Sequence, residues 1–193
     1  KKTNNSKLIR NIRVTKKEML SEIIEVNGAI KTSIEATLSS GINESPLLNS
    51  YIKISSGNFI TARPFGVIDG VDMEFTGQIR KVDTNSILNK LENNEIVIIS
   101  PLGYSPVGDV FNLSYEQTAA HVAQAIKADK LIYYLNANGI LNIRGELIPE
   151  LTTSKAKQII DKIEDPGSAP YISYNDFNIL KSSLYAIKNK IEK

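Results

Sequence analysis

The sequence contains no cysteine, no tryptophan and a single histidine. Without cysteine there is no disulfide, no thiolate nucleophile and no cysteine-held metal, and a reducing compartment is compatible with the chain. The lone histidine, His121, rules out histidine clusters and paired zinc motifs such as H-E-x-x-H, and no other metal-ligand spacing occurs. No metal site and no catalysis through histidine are therefore expected in this chain. Charge of one sign is scarce as well: 23 Lys plus Arg stand against 21 Asp plus Glu, a formal net charge of +2. That balance argues against a general nucleic-acid binder. The longest aliphatic run, Ile96-Val97-Ile98-Ile99, falls far short of the roughly 20 apolar residues that span a bilayer. The amino-terminal stretch has no apolar signal core, so the expectation is a cytoplasmic chain with no membrane partner. Walker, G-x-G-x-x-G and G-x-S-x-G patterns are all missing, and so are internal repeats.

What is present is an ordinary globular composition, 41% hydrophobic and 23% charged over 193 residues. That length suits one α/β domain spanning 1–193 better than two small ones. Lys1 in place of Met suggests a piece of something longer. Seven basic and no acidic side chains in the first seventeen residues read more simply as a solvated terminus than as a phosphate patch.

Thr15-Lys16-Lys17-Glu18 has the form of a capping box. It opens a helix of about 16–39, along which Met19, Leu20, Ile23, Ile24, Ile30, Ile34 and Leu38 recur at helical spacing. So long an amphipathic helix suits core packing or a subunit interface. From Tyr51 to Phe75 the texture is β-rich, and Asp69-Gly70 reads as a hairpin turn. Asp83 or Thr84 caps a short helix with Ile87, Leu88 and Leu91, ahead of a buried strand at 95–100. After a Gly- and Pro-bearing loop, Ser100 to Gly108, the sequence predicts a strand at 109–111. Ser114-Tyr115-Glu116-Gln117 then caps a helix, and 130–135 is expected to be its parallel partner strand, a βαβ unit. Asn138-Gly139 and Arg144-Gly145 frame an expected hairpin, and helices of about 154–164 and 175–191 close the chain.

In open α/β sheets ligands gather at the carboxyl ends of parallel strands. The Ser100–Gly108 loop and the Phe111-Asn112-Leu113-Ser114 turn occupy such places, and a helix start after Ser114 favours a carboxylate there. Asn112 and Ser114 have a plainer role open to them as helix caps. Glu116 would equally serve by complementing the helix dipole. Arg13, flanked by Ile12 and Val14, is suited to bidentate capture of a carboxylate, though a surface or ion-paired arginine is the commoner outcome.

Several stretches then carry a resemblance: Asn11-Ile12-Arg13-Val14-Thr15, Ser56-Gly57-Asn58-Phe59-Ile60, Gly66-Val67-Ile68-Asp69-Gly70-Val71-Asp72, and Ser100-Pro101-Leu102-Gly103-Tyr104-Ser105 through Phe111-Asn112-Leu113-Ser114. Taken in order, they closely resemble the amino-acid-kinase-like domain of the bacterial N-acetylglutamate synthase family, relatives of the acetylglutamate kinases. The resemblance implies a three-layer αβα sandwich with a mainly parallel sheet, of the carbamate-kinase-like type, here incomplete at both ends. It implies a ligand pocket in which Arg13 holds an acetylglutamate carboxylate and Asn112 touches the same ligand, with Ser114 and Glu116 beside them. The kinases carry Asn and Asp at those last two positions, so phosphoryl transfer is not implied. They also have an acid-containing nucleotide-binding turn where this chain reads Asn136-Ala137-Asn138-Gly139, so nucleotide binding is not implied either. A synthase of this family acetylates glutamate from acetyl-CoA, which is a substrate of the intact enzyme rather than a cofactor of this chain. It does so in a separate acetyltransferase domain. The kinase-like part then serves arginine feedback, near the carboxyl-terminal helices, and assembly into a homo-oligomer.

Overall fold

A computed structural model describes residues 7–10, 12–39, 52–135, 139–141, 146–164 and 174–188. The chain divides into two compact units, residues 1–115 and residues 116–193.

The first unit opens with a two-residue hairpin, β1 (Leu8–Ile9) against β2 (Ile12–Arg13), and continues into helix α1 (Lys17–Ser39). The helix starts beyond the point a Thr15 cap would give. Thr15 is fully buried and its hydroxyl accepts a hydrogen bond from Asn112, so the expected capping box gives way to a tertiary contact. Strand β3 (Lys53–Ser56) lies beside α1 and pairs in parallel with β8 (Glu95–Ile98). Between them in sequence come β4 (Ile60–Pro64), a small hairpin of β5 (Val67–Ile68) and β6 (Val71–Asp72), β7 (Gly77–Val82) and α2 (Thr84–Glu92). Asp69 and Gly70 turn the hairpin with φ of 49° and 74°, the left-handed pair that such a tight turn demands. Asp83 caps α2 by accepting from the main-chain N–H and the hydroxyl of Ser86, and Ile87 is buried on its inner face.

Strands β9 (Leu102–Tyr104) and β10 (Val110–Asn112) complete a four-stranded sheet of order β10-β9-β4-β7. The α/β class is as the sequence implies. The parallel pairings join strands distant in sequence, β3 with β8 and β4 with β9, while β4–β7, β9–β10 and the two small hairpins run antiparallel. Two of these strands differ from the expectation. Gly77–Val82 carries few apolar residues and shows no strand signal of its own; its pairing with β4 makes it one. Leu102–Tyr104 lies inside the expected loop, because Gly103 lets β9 close in on β4. A Cβ at Gly103 would collide with the Cβ of Ala62 and come within 3.0 Å of Leu113 Cδ1. Gly77 is bare for a similar reason: a Cβ there would meet Phe111 Cβ at 2.5 Å and Leu113 Cδ2 at 3.0 Å. Leu113 thus fits its two methyls into the room left by two glycines.

The second unit holds most of α3 (Tyr115–Ala125), with α4 (Thr153–Glu164) and α5 (Tyr174–Lys188). Ala156 and Ile160 of α4 bury against Phe177, Leu180 and Leu184 of α5. Ala120 and Ala123 of α3 cluster with Ala186 of α5, small residues that allow helices to approach closely. The expected strand 130–135 is not one. Its side chains do alternate, with Leu131 and Tyr133 partly covered and Ile132 and Tyr134 exposed, but it pairs with no strand among the described residues. Leu131 packs on the alanine cluster, and the Tyr133 hydroxyl donates to the Glu116 carbonyl at 2.9 Å. Without that partner the anticipated βαβ unit is absent from the described residues. The later hairpin survives as a single bridge, Leu141 with Leu147, its turn at 142–145 lying outside the described residues, as does the loop expected at 165–170.

Candidate functional site

Arg13 and Asn112 belong to the first unit and are joined by a continuous hydrogen-bond path. Three segments meet there: the end of β2, the strand-like stretch after β6, and the end of β10. Isolated bridges pair Thr15 with Glu74 and Thr76 with Asn112. Phe75 N–H donates to the Thr15 carbonyl at 3.0 Å, and Asn112 N–H donates to the Phe75 carbonyl at 2.9 Å. Side chains complete the link. The Thr76 hydroxyl donates to the Arg13 carbonyl at 2.7 Å and accepts from the Thr15 N–H at 2.9 Å. The Asn112 side-chain amide donates to the Thr15 hydroxyl at 3.0 Å.

This arrangement fixes the backbone at Arg13 while leaving its guanidinium in solvent; the Arg13 side chain is exposed and makes no ion pair among the described residues. An exposed fork of donors on an immobilised strand end is able to take a carboxylate in bidentate fashion. Asn112 is the last residue of β10, three positions ahead of the first residue of the helix, and its amide serves the path to Thr15. Ser114 stands at the cap position ahead of α3, which starts at Tyr115. Glu116 lies in the second unit, 4% exposed, in the first turn of α3. The structure therefore brings Arg13 and Asn112 into one network and sets Ser114 two residues along.

Thr15 and Thr76 are the residues sequence reasoning did not assign to the site. Thr15 was legible only as a helix cap, and Thr76 follows Glu74-Phe75 in no recognisable motif; their partners lie 61 to 97 residues away in sequence. The hairpin that carries Arg13 is tied at its other end. Arg10 Nε and Nη2 donate to the two carboxylate oxygens of Asp69 at 2.9 and 2.6 Å. That hydrogen bond first, and the Asp69 charge second, push the Arg10 guanidinium above its ordinary pKa. No group of three or more His, Asp or Glu converges in a metal-holding arrangement, and no helix is long and apolar enough to cross a membrane, among the described residues.

The sequence profile of the Amino acid kinase family matches residues 5–173, and the chain belongs to that family. Within it, the chain is similar to proteins named amino-acid acetyltransferase. That of Ralstonia nicotianae is 43% identical over 151 residues, covering 78% of this chain and 34% of the relative. Among solved structures, N-acetylglutamate synthase from Neisseria gonorrhoeae, complexed with coenzyme A and N-acetyl-glutamate, is 33% identical with a TM-score of 0.81, over 97% of this chain and 40% of that one. The same enzyme complexed with coenzyme A and L-arginine gives 32% and 0.84, over 96% and 42%. The resemblance read from the motifs is thus the one these relatives carry, and the chain spans well under half the length of each of them.

Proposed function

We propose that this chain is the amino-acid-kinase part of an amino-acid acetyltransferase, the N-acetylglutamate synthase that moves an acetyl group from acetyl-CoA to the amine of glutamate and opens arginine biosynthesis. The observation that carries this reading is the extended similarity to proteins of that name, over 78% of the chain at 43% identity. The family match runs across the boundary between the two compact units, which supports treating both as one domain. In this reading the chain performs no chemistry itself. It binds small molecules, with Arg13, Asn112 and Ser114 lining a kinase-like pocket for glutamate or acetylglutamate, while Glu116 belongs to the second unit. It also conveys arginine feedback in a cytoplasmic homo-oligomer. Assembly has its own support in α1, where Ile24, Val26, Ile30 and Ile34 remain exposed on a 23-residue helix.

The alternative is an acetylglutamate kinase using ATP. Ser114 and Glu116 count against it, standing where the kinase pattern has Asn and Asp. A third reading keeps only assembly through α1, with no ligand. The deciding experiment takes the protein carrying these residues and follows two products side by side: free thiol released from acetyl-CoA with glutamate present, and ADP formed from ATP with N-acetyl-glutamate. Thiol release that falls on adding L-arginine is expected. ADP formation without thiol release would establish the kinase and overturn the proposal.

A further inference from the structure

Two hairpins border the Arg13 network, and they are fastened to each other twice. At their bases the tie is the Thr15–Thr76 contact together with the Thr15–Glu74 bridge. At their tips it is the bidentate pair of Arg10 and Asp69, 59 residues apart in sequence. Both tip residues sit in left-handed backbone, Arg10 at φ 46° and Asp69 at φ 49°, a conformation that aspartate tolerates better than most residues and that is uncommon for arginine. The turns are therefore shaped so that guanidinium and carboxylate meet fork to fork. The pair is open to water, its side chains 71% and 49% exposed, and such pairs add little to global stability. What it restrains is local. The β1–β2 hairpin is two residues a side, closed by the Val14 N–H to Lys7 carbonyl bond, and a hairpin so short is marginal by itself.

From this geometry we infer that Arg10 and Asp69 form a latch that positions Arg13: they are not ligand contacts but hold the hairpin whose end presents the Arg13 guanidinium. The inference rests on the proposed ligand role of Arg13 and adds residues to it that touch no ligand. With the latch released, the β1–β2 pairing of Ile9 with Ile12 and Leu8 with Arg13 frays from its tip, and the Arg13 side chain is held less firmly although its carbonyl stays on Thr76, so a carboxylate ligand binds less tightly while the fold persists.

The test uses the whole chain, with N-acetyl-glutamate as the probe in isothermal titration and amide hydrogen exchange followed at Val14. Asp69→Asn and Arg10→Gln are each expected to weaken binding by about threefold to fivefold, the range an exposed ion pair supports. Both should speed exchange at Val14 with the melting temperature nearly unchanged, and the loss should shrink as added salt screens the pair in the parent. The exchanged pair, Arg10→Asp with Asp69→Arg, should recover both readouts in part. Unchanged exchange at Val14 in the single variants overturns the latch. So does faster exchange with unaltered affinity, provided Arg13→Ala abolishes binding. If Arg13→Ala itself binds the probe normally, the ligand reading of Arg13 has failed instead, and the two failures are told apart.

Discussion

The side-chain amide of Asn112 donates to the hydroxyl of Thr15 at 3.0 Å across 97 residues of sequence. Because Thr15 is fully buried and Thr76 is 6% exposed, the path from Asn112 through Thr15 and Thr76 to the Arg13 carbonyl is shielded from water. Hydrogen bonds so placed cost little to keep and much to leave half-made.

Thr76→Val keeps the shape and removes the hydroxyl that serves both the Thr15 N–H and the Arg13 carbonyl. Leaving those main-chain groups unpaired is expected to cost about 1–3 kcal/mol. Urea unfolding measures the loss, and Thr76→Ser, which restores the hydroxyl, should recover most of it. A silent valine variant would show that water reaches the path.

Glycine to alanine should act with opposite signs at two places. At Gly103 the new methyl collides with Ala62 and presses on Leu113, so overpacking is expected to destabilise by about 1–3 kcal/mol. At Gly28, inside α1 with open space around it, alanine should stabilise by about 0.5–1 kcal/mol through helix propensity. Thermal melts of the two variants beside the parent decide the signs.

Asp83 has a carboxylate pKa below its ordinary value, lowered first by the Ser86 hydroxyl, then by the Ser86 main-chain N–H. A lowered folded-state pKa means stability that is fully present above the ordinary carboxylate range and is lost as pH falls through the depressed value. The melting-temperature advantage of the parent over Asp83→Asn should therefore hold near neutrality and close as pH is taken from about 7 to about 3. An advantage that grew in acid would contradict the cap described for α2.

Tyr133→Phe removes the hydroxyl that donates to the Glu116 carbonyl. The expected loss is about 0.5–1.5 kcal/mol in urea unfolding, with hydrogen exchange rising across 130–135. Exchange unchanged there would mean that Leu131 and the alanine cluster hold the segment unaided.

Local chemistry explains which features were legible in the sequence. Helices α2 to α5 follow from periodic apolar residues and, for α2, from the Asp83 cap. The Asp69-Gly70 turn follows from residues that tolerate positive φ. Strands β7 and β9 were hidden because their stability comes from β4, a partner remote in sequence, and because Gly103 and Pro101 look like loop chemistry until the close approach to Ala62 is seen. At 130–135 the apolar residues after a helix suggest a strand, and the side chains do alternate in exposure, yet alternation reports two faces and not the presence of a neighbouring strand. The same limit applied at the site. Arg13 and Asn112 could be singled out by residue type, whereas Thr15 and Thr76 act only through where the fold brings them.

Leu113 lies one peptide bond beyond Asn112, with each of its terminal methyls filling the space beside a different bare position, Gly77 and Gly103. Such a wedge makes the strand end intolerant of sliding. Any bulk added on either flank has to be absorbed by shifting Leu113, and the movement reaches the Asn112 amide next to it. Gly77 and Gly103 thereby become levers on the grip between Asn112 and Thr15, so a displaced Asn112 amide is as natural a consequence of altering them as loss of folding.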